Sequence, residues 1–90
     1  MALYMVSYDL HGLKKDYDKI TKGLVNLGSV YRVLESQFLV SYAGNASQLR
    51  DYAATLVNSQ DEIFVSLITS DWASMTESPE ELLRFINANM

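Results

Sequence analysis

The chain opens on an alternation of side-chain types. Residues 2–10 put Tyr4, Val6, Tyr8 and Leu10 on one face and Leu3, Met5, Ser7 and Asp9 on the other, so both faces begin apolar. Such a strand belongs in the middle of a sheet, with helices covering one side and a further element or a partner subunit covering the other. His11-Gly12 ends it. From about Asp16 the period turns helical through Tyr17, Ile20, Leu24 and Leu27, which predicts a helix over roughly 14–27 with Gly28 at a left-handed C-cap. Residues 29–35 and 38–42 read as two more strands, joined tightly around Ser36-Gln37 as an antiparallel hairpin.

After Ala43-Gly44, Asn45 and Gln48 form a capping-box pattern ahead of a second helix that buries Leu49, Tyr52, Ala53 and Leu56. The polar stretch Asn58 to Asp61 leads into a fourth strand over 62–69, with Ile63, Val65 and Leu67 on one face and Phe64, Ser66 and Ile68 on the other. Ser78-Pro79-Glu80-Glu81 places a cap and an N1 proline before Leu82, Leu83, Phe85 and Ile86, predicting a third, short helix. The element order predicts an α+β protein with a ferredoxin-like βαββαβ arrangement, a four-stranded antiparallel sheet and an appended C-terminal helix. The usual sheet order, 4-1-3-2, makes strands one and three neighbours and brings Asp9 toward Ser36–Phe38. One domain spans 1–90, with a core over about 2–69 and a helical extension over about 78–89.

The 90 residues hold 49% hydrophobic and 20% charged side chains, a packed globular composition too short for two stable cores. No apolar run is long enough to span a bilayer and no leader pattern precedes Asp9, so a cytoplasmic protein without membrane contact is expected. The chain has no cysteine and one histidine, which excludes disulfides, thiolate zinc sites, cysteine nucleophiles and multi-histidine metal sites within one chain. Net charge is −4, with residues 1–32 at +2 and residues 33–90 at −6, so any nucleic-acid surface draws on the first third.

Asp9 is the leading candidate for chemistry, because a carboxylate closing an apolar strand needs water, a partner or a metal. His11 projects on the same side if the strand continues, giving an Asp-x-His pair for metal binding or acid–base work. One carboxylate holds magnesium poorly, whereas a two-fold dimer supplies Asp9 twice to one metal. Arg32 interrupts an apolar strand, and Lys15, Lys19 and Lys22 occupy neighbouring helical turns; these four are the candidates for phosphate contact. Arg32 otherwise suits a salt bridge with Glu35, and the lysines a solvated helix face. Tyr4, Phe38 and Tyr42 are candidates for an interface or, equally, for the core.

The run Tyr4-Met5-Val6-Ser7-Tyr8-Asp9-Leu10, a helix ending in Leu27-Gly28, and Val30-Tyr31-Arg32-Val33-Leu34-Glu35-Ser36-Gln37-Phe38 resemble the CRISPR-associated Cas-two endonuclease superfamily. They resemble most its small stand-alone relatives, the SinR family. The resemblance covers roughly residues 3–68 and implies a homodimer with facing sheets, in which the strand-one aspartate, Asp9, binds a divalent metal, Mg or Mn. It also sets Ser36, Phe38 and Arg32 near that position. Within the superfamily some members cut RNA or DNA and others act as non-catalytic scaffolds, and the related virulence-associated D toxins are ribonucleases, so activity does not follow from the fold. This chain departs from the pattern at Leu34, where a polar residue is common, at Leu39, where an acidic one is usual, and in its acidic balance. Three expectations follow: a metal-dependent nuclease with nucleic acid as partner, a non-catalytic module that binds protein, or a ferredoxin-like regulator that binds a small ligand.

Overall fold

A computed structural model describes residues 1–12 and 15–90. Strand β1 (Ala2–Asp9) is followed by α1 (Tyr17–Val25), the hairpin β2 (Val30–Leu34) and β3 (Gln37–Tyr42), α2 (Ala46–Ala54), β4 (Glu62–Leu67) and α3 (Pro79–Asn89). The four strands form one antiparallel sheet in the order β2-β3-β1-β4. Strands β1 and β3 are neighbours, as the sequence leads one to expect.

Local chemistry accounts for most boundaries. Asp16 caps α1 by accepting from the Lys19 N–H at 3.0 Å, so the helix starts at Tyr17; the earlier start expected at residue 14 lies outside the described residues. The helix closes at Val25, two residues before the expected end at 27, with Asn26 as its C-cap, and Gly28 follows two residues beyond that cap in the left-handed region at φ +108°. Asn45 and Gln48 exchange both bonds of the capping box at 2.9 Å each. Ser78 occupies the N-cap of α3 without a side-chain bond, so Pro79 at the first turn carries that start signal alone.

The period-two alternation separates two cores. Tyr4, Val6 and Tyr8 of β1 share a face with Phe38 and Val40 of β3, and Ile20 and Leu24 of α1 with Leu49 of α2 close over them. On the opposite face Leu3 and Leu39 meet Leu82 and Ile86 of α3, flanked by Met5, Tyr31, Val33, Ile68, Trp72 and Phe85. The second apolar face of β1, for which a partner subunit was one expected cover, is therefore covered in part by the chain's own α3. Tyr4 and Phe38, expected at an interface, are 6% and 3% exposed beneath α1 and α2, and Tyr42 packs half-buried against the same core. Tyr4 is fixed there by its hydroxyl, which donates to the Gly44 carbonyl at 2.7 Å. Among the described residues, no helix is long and apolar enough to cross a membrane.

Candidate metal centre

Strands β1 and β4 run antiparallel with Asp9 opposite Glu62, so the last residue of one strand and the first of the other carry carboxylates on the same sheet face. Like charges directly opposite are unfavourable in a sheet. His11 lies between the two carboxylates. Its Nε2 lies 2.8 Å from Glu62 Oε1 and 3.6 Å from Asp9 Oδ2, and one ligand atom from each of the three residues falls within 4.8 Å of the others.

The loop that carries His11 is held on both sides. Leu10 is buried in the helix-side core, and the His11 backbone N–H donates to Asp61 Oδ1 at 2.7 Å. Asp61 Oδ2 accepts from the Asn58 N–H at 2.8 Å, so one carboxylate ties the turn before β4 to the segment after β1. These two backbone N–H groups, His11 first, hold the Asp61 carboxyl below its ordinary value, with burial opposing and the His11 charge adding a smaller pull. Gly12 then turns the chain at φ +86°.

The donor set is one imidazole and two carboxylates. Around an ion at about 2.0–2.2 Å, ligand atoms stand roughly 3–3.5 Å apart, so the observed spacings need only small side-chain rotations to close on a cation. Metal and proton compete for His11 Nε2, so binding requires the neutral ring with that nitrogen free. The His11, Asp9 and Glu62 side chains are 43%, 72% and 75% exposed, which leaves room for water or a further ligand at the same ion.

The structure brings Asp9 and His11 of one chain together, as the Asp-x-His spacing suggests. It does not bring Arg32 to them. Arg32 pairs with Phe38 in register and shares the helix-side face, where its guanidinium carbon lies 5.2 Å from the Phe38 ring centroid. Asp9 faces the other way, two strands from β2. Lys15, Lys19 and Lys22 are exposed at or on α1, on the helix side, and Lys19 borders a groove with Leu10, Asp16 and Asp61. The turn at Ser36 reaches β1 through its carbonyl, which accepts from the Tyr8 N–H at 3.1 Å, but the Asp9 side chain meets β4 rather than β3.

Glu62 and Asp61 are the residues that sequence reading passed over as site members. The signal for Glu62 was present: in a 4-1-3-2 sheet β1 has β4 as its second antiparallel neighbour, and the start of β4 must then lie beside the end of β1. No family model matches the chain, and neither a curated protein nor a solved structure matches it.

Proposed function

We propose that the protein is a homodimeric, ferredoxin-like module of the Cas-two-like type that binds one divalent cation per chain at Asp9, His11 and Glu62 and serves as a non-catalytic interaction module. The observation that carries the cation is the convergence of three ligand-type side chains within 4.8 Å at the ends of two paired strands. A mixed imidazole and carboxylate set favours Mn or Zn over Mg, which prefers all-oxygen surroundings. The ferredoxin-like reading is supported by the β2-β3-β1-β4 order, with α1 and α2 packed on one sheet face.

The surroundings of the cluster favour binding over cleavage. The groove beside it is lined by Ser7, Tyr8, Asp9, Glu62, Ile63 and Phe64, so it offers a phosphodiester two carboxylates and no lysine or arginine. Arg32, the strand cation expected to contact phosphate, faces the opposite side of the sheet, and the chain carries a net charge of −4. The second reading is a metal-dependent nuclease, favoured by Asp9 at the end of β1 and by the exposure of the cluster, which leaves coordination positions for water and a phosphate oxygen. In that case Asp9, His11 and Glu62 would hold the ion, which would act as Lewis acid.

Calorimetric titration with Mn and Zn tests the site. Binding to the native chain that is lost in Glu62→Gln and His11→Ala is expected, and equal binding by all three proteins would refute it. Labelled RNA and DNA, incubated with protein and Mn, decide the use of the site. Intact substrate supports the non-catalytic reading, and cleavage that disappears with Asp9→Ala replaces it with the nuclease.

A further inference from the structure

The sheet ends on two unlike edges. Strand β2 is five residues long, is broken by a register shift between Arg32 and Leu34, carries Arg32 and is followed directly by Glu35. After β4 the chain crosses the α3-side face through Trp72, and its residues Met75 to Ser78 then run alongside Tyr31–Glu35. A short, bulged, charged and flanked strand is a protected edge.

Strand β4 is less protected: its one charge, Glu62, stands at its first residue. Its six residues, Glu-Ile-Phe-Val-Ser-Leu, pair with β1 without a register shift and contain no Pro, Lys or Arg. The Ile68 N–H donates to the Leu3 carbonyl, which fixes the parity of the ladder: residues 62, 64, 66 and 68 direct their backbone groups at β1. Ile63, Val65 and Leu67 direct theirs outward, where among the described residues nothing pairs with them. Phe64, which lies between Ile63 and Val65, and Leu67, the last of the row, are 70% and 56% exposed.

We infer that β4 is the surface through which two copies of this chain pair, antiparallel about a two-fold axis at Phe64, to make one continuous eight-stranded sheet. Self-complementarity selects a second copy as the occupant. In that register each Ile63 exchanges both backbone bonds with Val65 of the other copy, and the two Phe64 rings meet as a closely spaced cross-strand pair. No like charges are opposed, because Glu62 stands across from Ser66. That last pair also reaches the proposed cation site, since the Ser66 hydroxyl of one copy comes beside the Glu62 carboxylate of the other. The inference takes its stoichiometry from the proposed homodimer but joins the copies edge to edge rather than with facing sheets, because α1 and α2 cover one face of the sheet and α3 covers part of the other; it is separable from the cation, because all three candidate ligands come from one chain.

Sedimentation across low to high micromolar protein, with and without EDTA, is the first test. A concentration-dependent dimer that persists in EDTA is expected; monomer throughout, or a dimer dissolved by EDTA, overturns the inference. Phe64→Glu, at a position exposed in the single chain, should weaken the dimer by at least about tenfold with an unchanged circular dichroism spectrum. An unweakened dimer refutes the β4 surface. Because the chain has no cysteine, Phe64→Cys and Leu34→Cys give a clean comparison of the two edges. Opposed positions at the two-fold axis lie about 4.5 Å apart at Cα, within disulfide reach. Rapid oxidation to a covalent dimer is expected for Phe64→Cys and slow oxidation for Leu34→Cys; the reverse order places the contact at β2 and overturns the proposal.

Discussion

Replacing Leu82 with alanine tests whether α3 is an integral layer of this protein. Leu82 and Ile86 are 2% and 4% exposed, and with Leu3 and Leu39 they are the fully buried members of the second core. A buried Leu→Ala change costs about 2–5 kcal/mol, the larger values arising where the surroundings fail to close the void. Here the neighbours Met5, Trp72 and Phe85 are half-buried and free on one side to settle inward, so the expected cost is in the lower half of that range, about 2–3 kcal/mol. A domain of this size has roughly 5–13 kcal/mol of stability in total, and about 4–8 °C of melting temperature goes with each kcal/mol. The melting temperature should fall by at least about 8 °C. Trp72, the one tryptophan of the chain, packs against this core and reports on it by fluorescence, while circular dichroism reports on the whole. In urea both signals should shift together to a lower midpoint in Leu82→Ala and stay in place in Leu83→Ala, whose side chain is 48% exposed. A Leu82→Ala protein within about 0.5 kcal/mol of the native chain would refute the packing argument, since that is the range of surface substitutions.

Three further outcomes follow from the site and the caps. The Asp61 carboxyl sits below its ordinary value in the folded chain, so its contribution is complete above that value and is lost as pH falls through the lower, folded one. Urea midpoints measured against pH should therefore drop on the acid side, and Asp61→Asn should lower stability near neutrality and flatten that acid slope. In metal-free buffer at low salt, Glu62→Gln removes a like-charge cross-strand pair and should change stability by no more than about 1 kcal/mol, so a large loss in thermal melts would mean that Glu62 is structural rather than a ligand. Asn45→Ala removes the reciprocal cap of α2 and should cost about 0.5–2 kcal/mol in urea unfolding.

Periodicity made the elements legible because each strand and helix repeats its apolar positions over enough residues to be told apart. The capping box at Asn45 and Gln48 could be read directly, since both of its bonds are local. What covers a face is not a local property. The alternation along β1 says that Leu3 and Met5 share a side, but nothing in those residues identifies Leu82 and Ile86, nearly eighty positions later, as their cover. The same limit explains Tyr4 and Phe38: spacing gives them a common face without saying that α1 and α2 lie on it. Arg32 was legible as an interruption of an apolar strand, but its pairing with the Phe38 ring depends on the β2–β3 register, which a shift between Arg32 and Leu34 complicates. Two of the three candidate ligands were visible, because Asp9 and His11 are two residues apart. Glu62 was not, because its place depends on which strands flank β1.

That dependence bears on how the cluster is built. Asp9 and Glu62 are set opposite each other by ladder register, not by flexible loops, and His11 is set between them by a buried Leu10 and by the Asp61 bridge at 2.7 and 2.8 Å. Two carboxylates facing each other across a ladder are unfavourable by themselves, and a single imidazole shared between them compensates only in part. A divalent cation would compensate fully, and it would meet ligands whose backbones are already fixed, so little ordering would oppose its binding. The same rigidity limits the choice of ion. Asp9, His11 and Glu62 stand in one small arc at the sheet end, so a bound metal must complete its shell from the solvent side, where Phe64 and the free edge of β4 begin. An ion held there would lie at the border of the surface on which a second copy would pair, so that Glu62 and Ser66 would join the proposed cation site to the proposed dimer contact.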